Sequence, residues 1–358
     1  MNFFLSPLIF LICLVGMDAA RSEVLQSKNV GNTECVGRYQ ISPPGLVDVA
    51  TTIPLERFSE GYQASGNFLF AKDDRAFYSD QLYEGAILTG PSISDQKFDA
   101  FRLEMQEFRA QRRLARGAEE QYQQQVKNLP FKDNPSTFYL WSSGYGTVSF
   151  IALRSGRLFQ WRLEGYPQEF DANVKTMLTV EKGLRARALF ELPKESGVCI
   201  PYGFVADDGK PGRKIGVTMR LIEHPEVEIF FQDETPASND LDETKEINFF
   251  WEDNYRQPDR QRRLLSPHVP GITYFPSVKI AGRKGKYSFV EITRQDGSLD
   301  YGYLAYVKGD AKTKEDTPNL MLYVIRTAAR AKGEPIGKNE FKKLADEITA
   351  SIRRRPVQ

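Results

Sequence analysis

The sequence predicts an α+β protein of two domains, each an antiparallel sheet with helices packed on it. Three observations predict it. Short runs of alternating apolar and polar residues, bounded by Gly, Pro, Asn and Asp, recur along the chain and read as strands joined by tight turns. Three other stretches repeat their apolar residues at helical spacing. Both halves also run in the same order, strands first and a helix last, which suits helices laid on antiparallel sheets. The 358 residues suffice for two domains of ordinary size. The boundary is expected near Pro193 to Ser196, giving domains 23–195 and 196–358.

At the N-terminus, Phe3 to Val15 is apolar apart from Ser6 and Pro7. A spanning helix needs about 20 apolar residues, so this shorter run reads as the core of a secretory signal peptide. Small residues at Ala20 and Ser22 place cleavage after Ser22, with cleavage after Ala20 as the alternative, so residues 1–22 are the expected signal. No Lys or Arg precedes the run, and an uncleaved membrane anchor is the competing reading. Lipid attachment at Cys13 is disfavoured by the bulky Phe10-Leu11-Ile12 before it. No other stretch is long and apolar enough to span a bilayer, so no stable membrane insertion of the mature chain is expected.

Export also decides how the cysteines are read. Cys13 would leave with the signal, and Cys35 and Cys199 remain. Two cysteines in an oxidising compartment read as one disulfide, two buried thiols being the alternative. A loop this long would give the disulfide roughly 5 kcal/mol in the chain-entropy picture, an upper figure. Neither cysteine has a Cys or His at zinc-ligand spacing.

Along the mature chain, Pro43-Pro44-Gly45 marks a turn and Gly66 to Phe70 a short strand. From Ser94 to about Lys127, Phe98, Phe101, Met105 and Phe108 recur at helical spacing, with Asp95 as a usable cap. Thr147 to Leu153 and Leu158 to Leu163 read as a hairpin across Arg154-Ser155-Gly156-Arg157. A helix is expected from Asp171 to Leu192, ended by Pro193. Cys199 to Val205, Gly216 to Ile222 and Val227 to Phe231 read as strands, and Asp233 to Glu246 as an exposed acidic loop. Tyr287 to Ile292 and Gly302 to Val307 form a hairpin, and Leu320 to Arg326 is a further strand. Lys338 to Arg354 closes the chain as an amphipathic helix, its arginines at 353 to 355 placed to complement the helix dipole.

Charge and motifs narrow the function. The 48 basic and 47 acidic side chains leave a net charge of +1, without the basic excess of a nucleic-acid binder, so no nucleic-acid partner is expected. No Gly-x-Ser-x-Gly elbow, HExxH, CxxC or P-loop is present. The nearest stretch, Ser142 to Gly146, reads as a Gly-rich turn, and the only histidines, His224 and His268, sit in loop-like contexts beside prolines. Asp207-Asp208 lacks the spacing of a calcium loop. The reading is a binding protein with no catalytic residue, metal or cofactor. The alternatives are a periplasmic hydrolase with a dispersed carboxylate site, which sequence order cannot reveal, or a structural protein of the envelope.

Four ordered stretches carry a family resemblance. Glu34-Cys35-Val36-Gly37-Arg38-Tyr39, Gly197-Val198-Cys199-Ile200-Pro201-Tyr202-Gly203-Phe204, Ile280-Ala281-Gly282-Arg283-Lys284-Gly285 and Ser351-Ile352-Arg353-Arg354-Arg355-Pro356 together resemble the immunity proteins of type VI secretion lipase effectors. They span nearly the whole mature chain. The departures are Pro201 and Tyr202, where that family often has smaller or polar residues, and the uncharged start of the signal. The resemblance implies a two-domain periplasmic protein that binds a phospholipase effector, occludes its active site and so protects the producing cell.

A tight protein interface wants a buried aromatic or arginine centre with a polar rim. Phe249-Phe250-Trp251 beside the acidic run is the candidate, with Asp233, Glu234, Asp240, Asp242, Glu243 and Trp251 as the expected partner-binding residues. The competing reading makes Phe249 and Trp251 core strand residues.

Overall fold

A computed structural model describes residues 32–50, 55, 70, 76–114, 129–255, 260–264, 275–313 and 315–358. The expected signal peptide at 1–22, the strand at 66–69 and the helix end at 115–127 lie outside the described residues.

In chain order the strands are β1 (Glu34–Val36), β2 (Tyr39–Ile41), β3 (Val47–Val49), β4 (Ser79–Leu82), β5 (Gly85–Ser92), β6 (Thr137–Ser142), β7 (Thr147–Arg154), β8 (Arg157–Leu163), β9 (Leu184–Ala186) and β10 (Gly197–Ile200). They continue with β11 (Gly203–Ala206), β12 (Arg213–Leu221), β13 (Val227–Glu234), β14 (Arg260–Leu264), β15 (Ser277–Ile280), β16 (Arg283–Arg294), β17 (Leu299–Val307), β18 (Asn319–Arg326) and β19 (Arg353–Arg354). The described helices are α1 (Asp95–Leu114), α2 (Phe170–Gly183), α3 (Glu243–Tyr255) and α4 (Lys338–Ser351).

Residues 32–358 form one compact unit built on a 13-stranded antiparallel sheet. Its path runs β14-β16-β17-β18-β13-β12-β4-β5-β8-β7-β6, with β15 added on β16 and β3 on β12. Strand β12 is the junction. One edge takes β13, while the other takes β4 over Arg213–Gly216 and β3 over Met219–Leu221. Two small sheets, β1-β2-β19 and β10-β11-β9, complete the described strands.

Side-chain alternation along the sheet sorts the cores, because successive residues of a strand face opposite sides. On one face a single apolar core includes Trp161 and Phe159 of β8, Phe231 of β13, Tyr303 of β17 and Leu322 of β18. Val174, Met177 and Val180 of α2 and Phe341, Ala345 and Ile348 of α4 pack into it. The other face carries two separate clusters. Phe98, Phe101 and Met105 of α1 meet Phe138, Ile151, Leu153 and Leu158. Ile247 and Trp251 of α3 meet Phe230, Val290, Leu304, Tyr306 and Tyr323.

Several elements end differently from the sequence reading, each for a local reason. Ser94 caps α1, its Oγ accepting the Lys97 N–H at 3.2 Å. Helix α2 stops at Gly183 because Leu184–Ala186 instead pair with β11, which satisfies their backbone in a sheet. The expected strand Cys199 to Val205 is two strands, β10 and β11, folded about Pro201-Tyr202 with Tyr202 at φ 56°. Strand β13 runs on to Glu234, and α3 begins at Glu243, so the acidic stretch is not one loop. The last helix ends at Ser351, and Arg353–Arg354 pair with β2, so the terminal arginines leave the helix rather than complement its dipole.

Candidate functional site

The four motif segments converge on one buried node. Cys35 of β1 and Cys199 of β10 form a disulfide with their Cα atoms 5.7 Å apart, closing a separation of 164 residues. Next to it Glu34 pairs with Arg187, both buried, and Arg187 also donates to the carbonyls of Cys35, Ile200 and Gly203. Gly37, at φ 58°, brings the chain against Asp233, whose Oδ2 accepts the Arg38 N–H at 2.8 Å. A β-carbon at Gly37 would overlap the Asp233 side chain, so only glycine fits.

Three arginines then share three aspartates. Arg213 holds Asp233 through Nε at 2.6 Å and Nη2 at 2.8 Å, and reaches Asp316 at 3.0 Å. Arg38 pairs with Asp207 and Asp316, each at 3.0 Å, and Arg354 of β19 reaches Asp316 at 2.6 Å. Burial alone would raise the Asp316 carboxyl, but Arg213, Arg354 and Arg38 outweigh it and hold it at about 2. Burial likewise disfavours charge on Arg213, yet Asp233 and Asp316 raise it above its ordinary value. Arg283 donates to the carbonyls of Pro318 and Lys308, bracing the loop that presents Asp316. Arg355 donates to the carbonyls of Pro193, Glu195 and Gly197. These motif residues tie the first and last described segments to the middle of the chain.

The candidate partner surface lies on the other face of β13. Glu234 and Gln232 point there, because they alternate with Asp233. A cleft of about 350 Å³ opens between α3 and the sheet, lined by Lys214, Gln232, Glu234, Asp240, Glu246, Tyr306, Asn319 and apolar residues including Ile247, Phe250, Leu304 and Met321. Phe249 stands at its rim, 59% exposed. Hydrogen bonds fix the acidic groups. Glu234 pairs with Lys214 at 2.9 Å and accepts from Gln232 Nε2 at 3.0 Å. Asp240 Oδ2 accepts from Asn319 Nδ2 at 2.6 Å and from the Ala237 N–H at 2.8 Å.

Asp242 caps α3, its Oδ1 accepting the Lys245 N–H at 3.0 Å, and that bond lowers the Asp242 carboxyl. Burial raises Glu246, and the nearby Asp240 and Glu234 carboxylates raise it further. Tyr306 is raised by burial and then by Glu246, Glu234, Asp240 and Glu243. The cleft therefore combines negative potential with apolar walls.

Of the residues singled out in the sequence, Glu234 and Asp240 line this cleft, while Asp242 and Glu243 start the helix beside it. Asp233 is wholly buried on the opposite face, in the arginine node. Trp251 is buried under α3, its Nε1 donating to Ser288 Oγ at 2.7 Å. Phe249 and Trp251 are thus helical, one outward and one inward, rather than strand residues. Sequence reasoning passed over Glu246, Tyr306 and Lys214. The i,i+3 spacing of Glu243 and Glu246 on a helix would have pointed to the first, but the helix itself was unread.

A second, shallower depression of about 470 Å³ lies by the Ser142 to Gly146 turn, with Trp141, Tyr145, Thr147 and Arg162 on its walls. Among the described residues no group of three or more His, Cys, Asp or Glu is arranged to hold a metal ion, and no helix is long and apolar enough to cross a membrane.

No curated protein matches the sequence. The fold is that of solved immunity proteins. It resembles immunity protein TplEi of T6SS from Pseudomonas aeruginosa, solved with an "L" peptide, at TM-score 0.56 and 18% identity over 91% of this chain and 98% of that one. The apo structure of TplEi gives TM-score 0.57 at 18% identity, over 91% and 97%. A chain of the Tle4-Tli4 complex gives TM-score 0.54 at 18% identity, over 91% and 98%. Residues 191–357, which carry α3, α4 and the cleft between α3 and the sheet, match the family described as Tle cognate immunity protein 4 C-terminal domain. The C-terminal part of the chain, residues 191–357, thus looks like the C-terminal domain of a Tle cognate immunity protein, and the chain as a whole shares the fold of solved T6SS immunity proteins.

Proposed function

We infer that the chain is a periplasmic immunity protein that binds a type VI secretion phospholipase effector and occludes it, protecting the cell that makes both. The observation that carries this reading is the Tle cognate immunity protein 4 domain over residues 191–357. A chain of the Tle4-Tli4 complex has this fold, and a partner of the same kind is proposed for this chain. Inhibition by occlusion needs a complementary surface and no catalytic group, so the proposed role is not enzymatic.

A disulfide between Cys35 and Cys199 suits an oxidising compartment. Together with the apolar run at Phe3 to Val15, it supports export to the periplasm, where phospholipid is open to attack. Two working halves are proposed, 23–195 and 196–358. The first contributes α1 and α2, and the second contributes α3, α4 and the acidic cleft. The proposed contact surface is the rim of that cleft with Glu234, Asp240, Asp242 and Glu243.

The test mixes purified residues 23–358 with the lipase effector of the producing strain and follows phospholipid hydrolysis. Loss of activity at a stoichiometric ratio, with a complex on gel filtration, is the expected result. Full hydrolysis with no complex overturns the pairing.

A further inference from the structure

The cleft beneath α3 contains a phenol whose bonding capacity the fold leaves unused. Tyr306 is only 5% exposed and lines the cleft, and its hydroxyl hydrogen-bonds to none of the described residues. A tyrosine carries an apolar ring and a polar tip, and here the ring is covered while the hydroxyl is left to bond water or a ligand in the cleft. The hydroxyl stands in the field of Glu246, Glu234, Asp240 and Glu243, which together with burial keep it protonated. It is thus a neutral group with an open acceptor site inside an acidic cleft.

The surrounding groups say which ligand would use that acceptor. Three carboxylates, Glu234, Asp240 and Glu246, line the cleft against one lining cation, Lys214, which is engaged by Glu234. Asp240 is held in place by Asn319 and the Ala237 N–H. The walls between them are Ile247, Phe250, Leu304 and Met321. An anion is excluded by the charge, and a purely apolar group would leave the carboxylates and phenol stripped of water. A long cationic side chain satisfies both. Its stem lies on apolar surface while its donors meet the carboxylates and the phenol oxygen. A guanidinium fits better than an ammonium, because it is less strongly hydrated, carries five donors in a plane and stacks on aromatic faces such as those of Phe249 and Phe250.

We propose that the cleft lined by Glu234, Asp240, Glu246 and Tyr306 is a subsite for one arginine side chain presented by a surface segment of the effector. The proposal rests on the effector-binding reading for the source of that arginine. It adds to that reading a defined anchor, of the buried arginine kind that carries much of the energy of a protein interface.

The experiment uses the mature chain and two probes. One is the peptide acetyl-Gly-Leu-Arg-Leu-Gly-amide, with its citrulline analogue, which keeps the shape and loses the charge. The other is the lipase effector of the producing strain. Binding is measured by calorimetry for wild type, Glu246→Gln, Asp240→Asn and Tyr306→Phe, with thermal unfolding as the control for folding. The arginine peptide is expected to bind about tenfold more tightly than the citrulline peptide, and Glu246→Gln to remove most of that difference. The same substitution is expected to weaken the lipase complex by about tenfold.

Equal binding of the two peptides, or an arginine preference unchanged in both Glu246→Gln and Asp240→Asn, overturns the subsite. The two readings separate cleanly. Arginine selectivity that depends on Glu246, without a lipase complex, keeps the subsite and rejects that lipase as its source. A lipase complex undiminished by Glu246→Gln, without arginine selectivity, keeps the immunity function and rejects the subsite.

Discussion

Gly37 and Cys199 exchange both backbone hydrogen bonds, at 3.0 Å from the Gly37 N–H and 2.8 Å from the Cys199 N–H. This bridge lies two residues from Cys35, the partner of Cys199 in the disulfide. The two links act at one place, where the start of the described chain is tied to β10. The domain that matches the immunity family thereby has the N-terminal segment built into it.

Reduction should therefore loosen the whole molecule. Replacing Cys35 and Cys199 together by alanine is expected to lower stability by about 2–4 kcal/mol. Urea unfolding with and without a reductant checks it. A midpoint that does not move in either case would show that the backbone bridge and the Glu34–Arg187 pair hold the segment unaided.

Gly37→Ala is expected to be more damaging than its size suggests. The residue sits at φ 58°, and the added carbon would displace the Asp233 carboxylate from Arg213 and from the Arg38 N–H. Breaking a buried charge pair in this way costs about 3–5 kcal/mol. A soluble Gly37→Ala protein with a wild-type melting temperature would contradict it.

Asp316 gives the node a pH signature. Its carboxyl is held at about 2, below its ordinary value of 3.8, so ionised Asp316 favours the folded chain. That stabilisation is complete above the unfolded value and is lost as pH falls from about 4 towards 2, with a size of about 2 kcal/mol. Asp316→Asn should lower stability at pH 7 and flatten the acid limb of a stability–pH curve over that window. An acid limb of unchanged steepness in the variant would assign the transition to other carboxylates.

Trp251 separates core from interface. It is buried, donates to Ser288 and packs edge-on to Tyr323, and Gly302 leaves room for its ring. Ser288→Ala should cost about 1 kcal/mol by removing this hydrogen bond. Affinity for the effector, measured well below the melting temperature, should stay at the wild-type level. A loss of affinity without a loss of stability would return Trp251 to the contact surface.

Local patterning was enough for much of the fold. The alternation from Thr147 to Leu163 announces a hairpin, and Ser155 and Gly156 take the positive φ values, 48° and 74°, that such a turn needs. Phe98, Phe101 and Met105 announce the buried stripe of α1. Cys35 and Cys199, paired in the sequence reading on the expectation of export, do form a disulfide. Failures came where a segment had a choice that periodicity does not record. Leu184–Ala186 continues an apolar helical pattern, yet a free edge of β11 is within reach and captures it. The arginines after Ser351 suit a helix end, yet Asp316 and the carbonyls near Pro193 claim Arg354 and Arg355.

By itself the sequence determined the α+β class, most strands, the disulfide and, through four ordered motifs, the resemblance to a family. Each of these is written in short-range periodicity, residue type or order. Only the tertiary structure decided what the acidic residues do. Asp233 and Glu234 are neighbours in the chain, but the two-residue period of a strand sends one into the arginine node and the other into the cleft. Tyr306 enters the same cleft from a strand far along the sequence, and its unused hydroxyl is visible only once β17 lies beneath α3. Charge in the sequence says how many carboxylates there are; burial and pairing decide which of them remain to meet a partner.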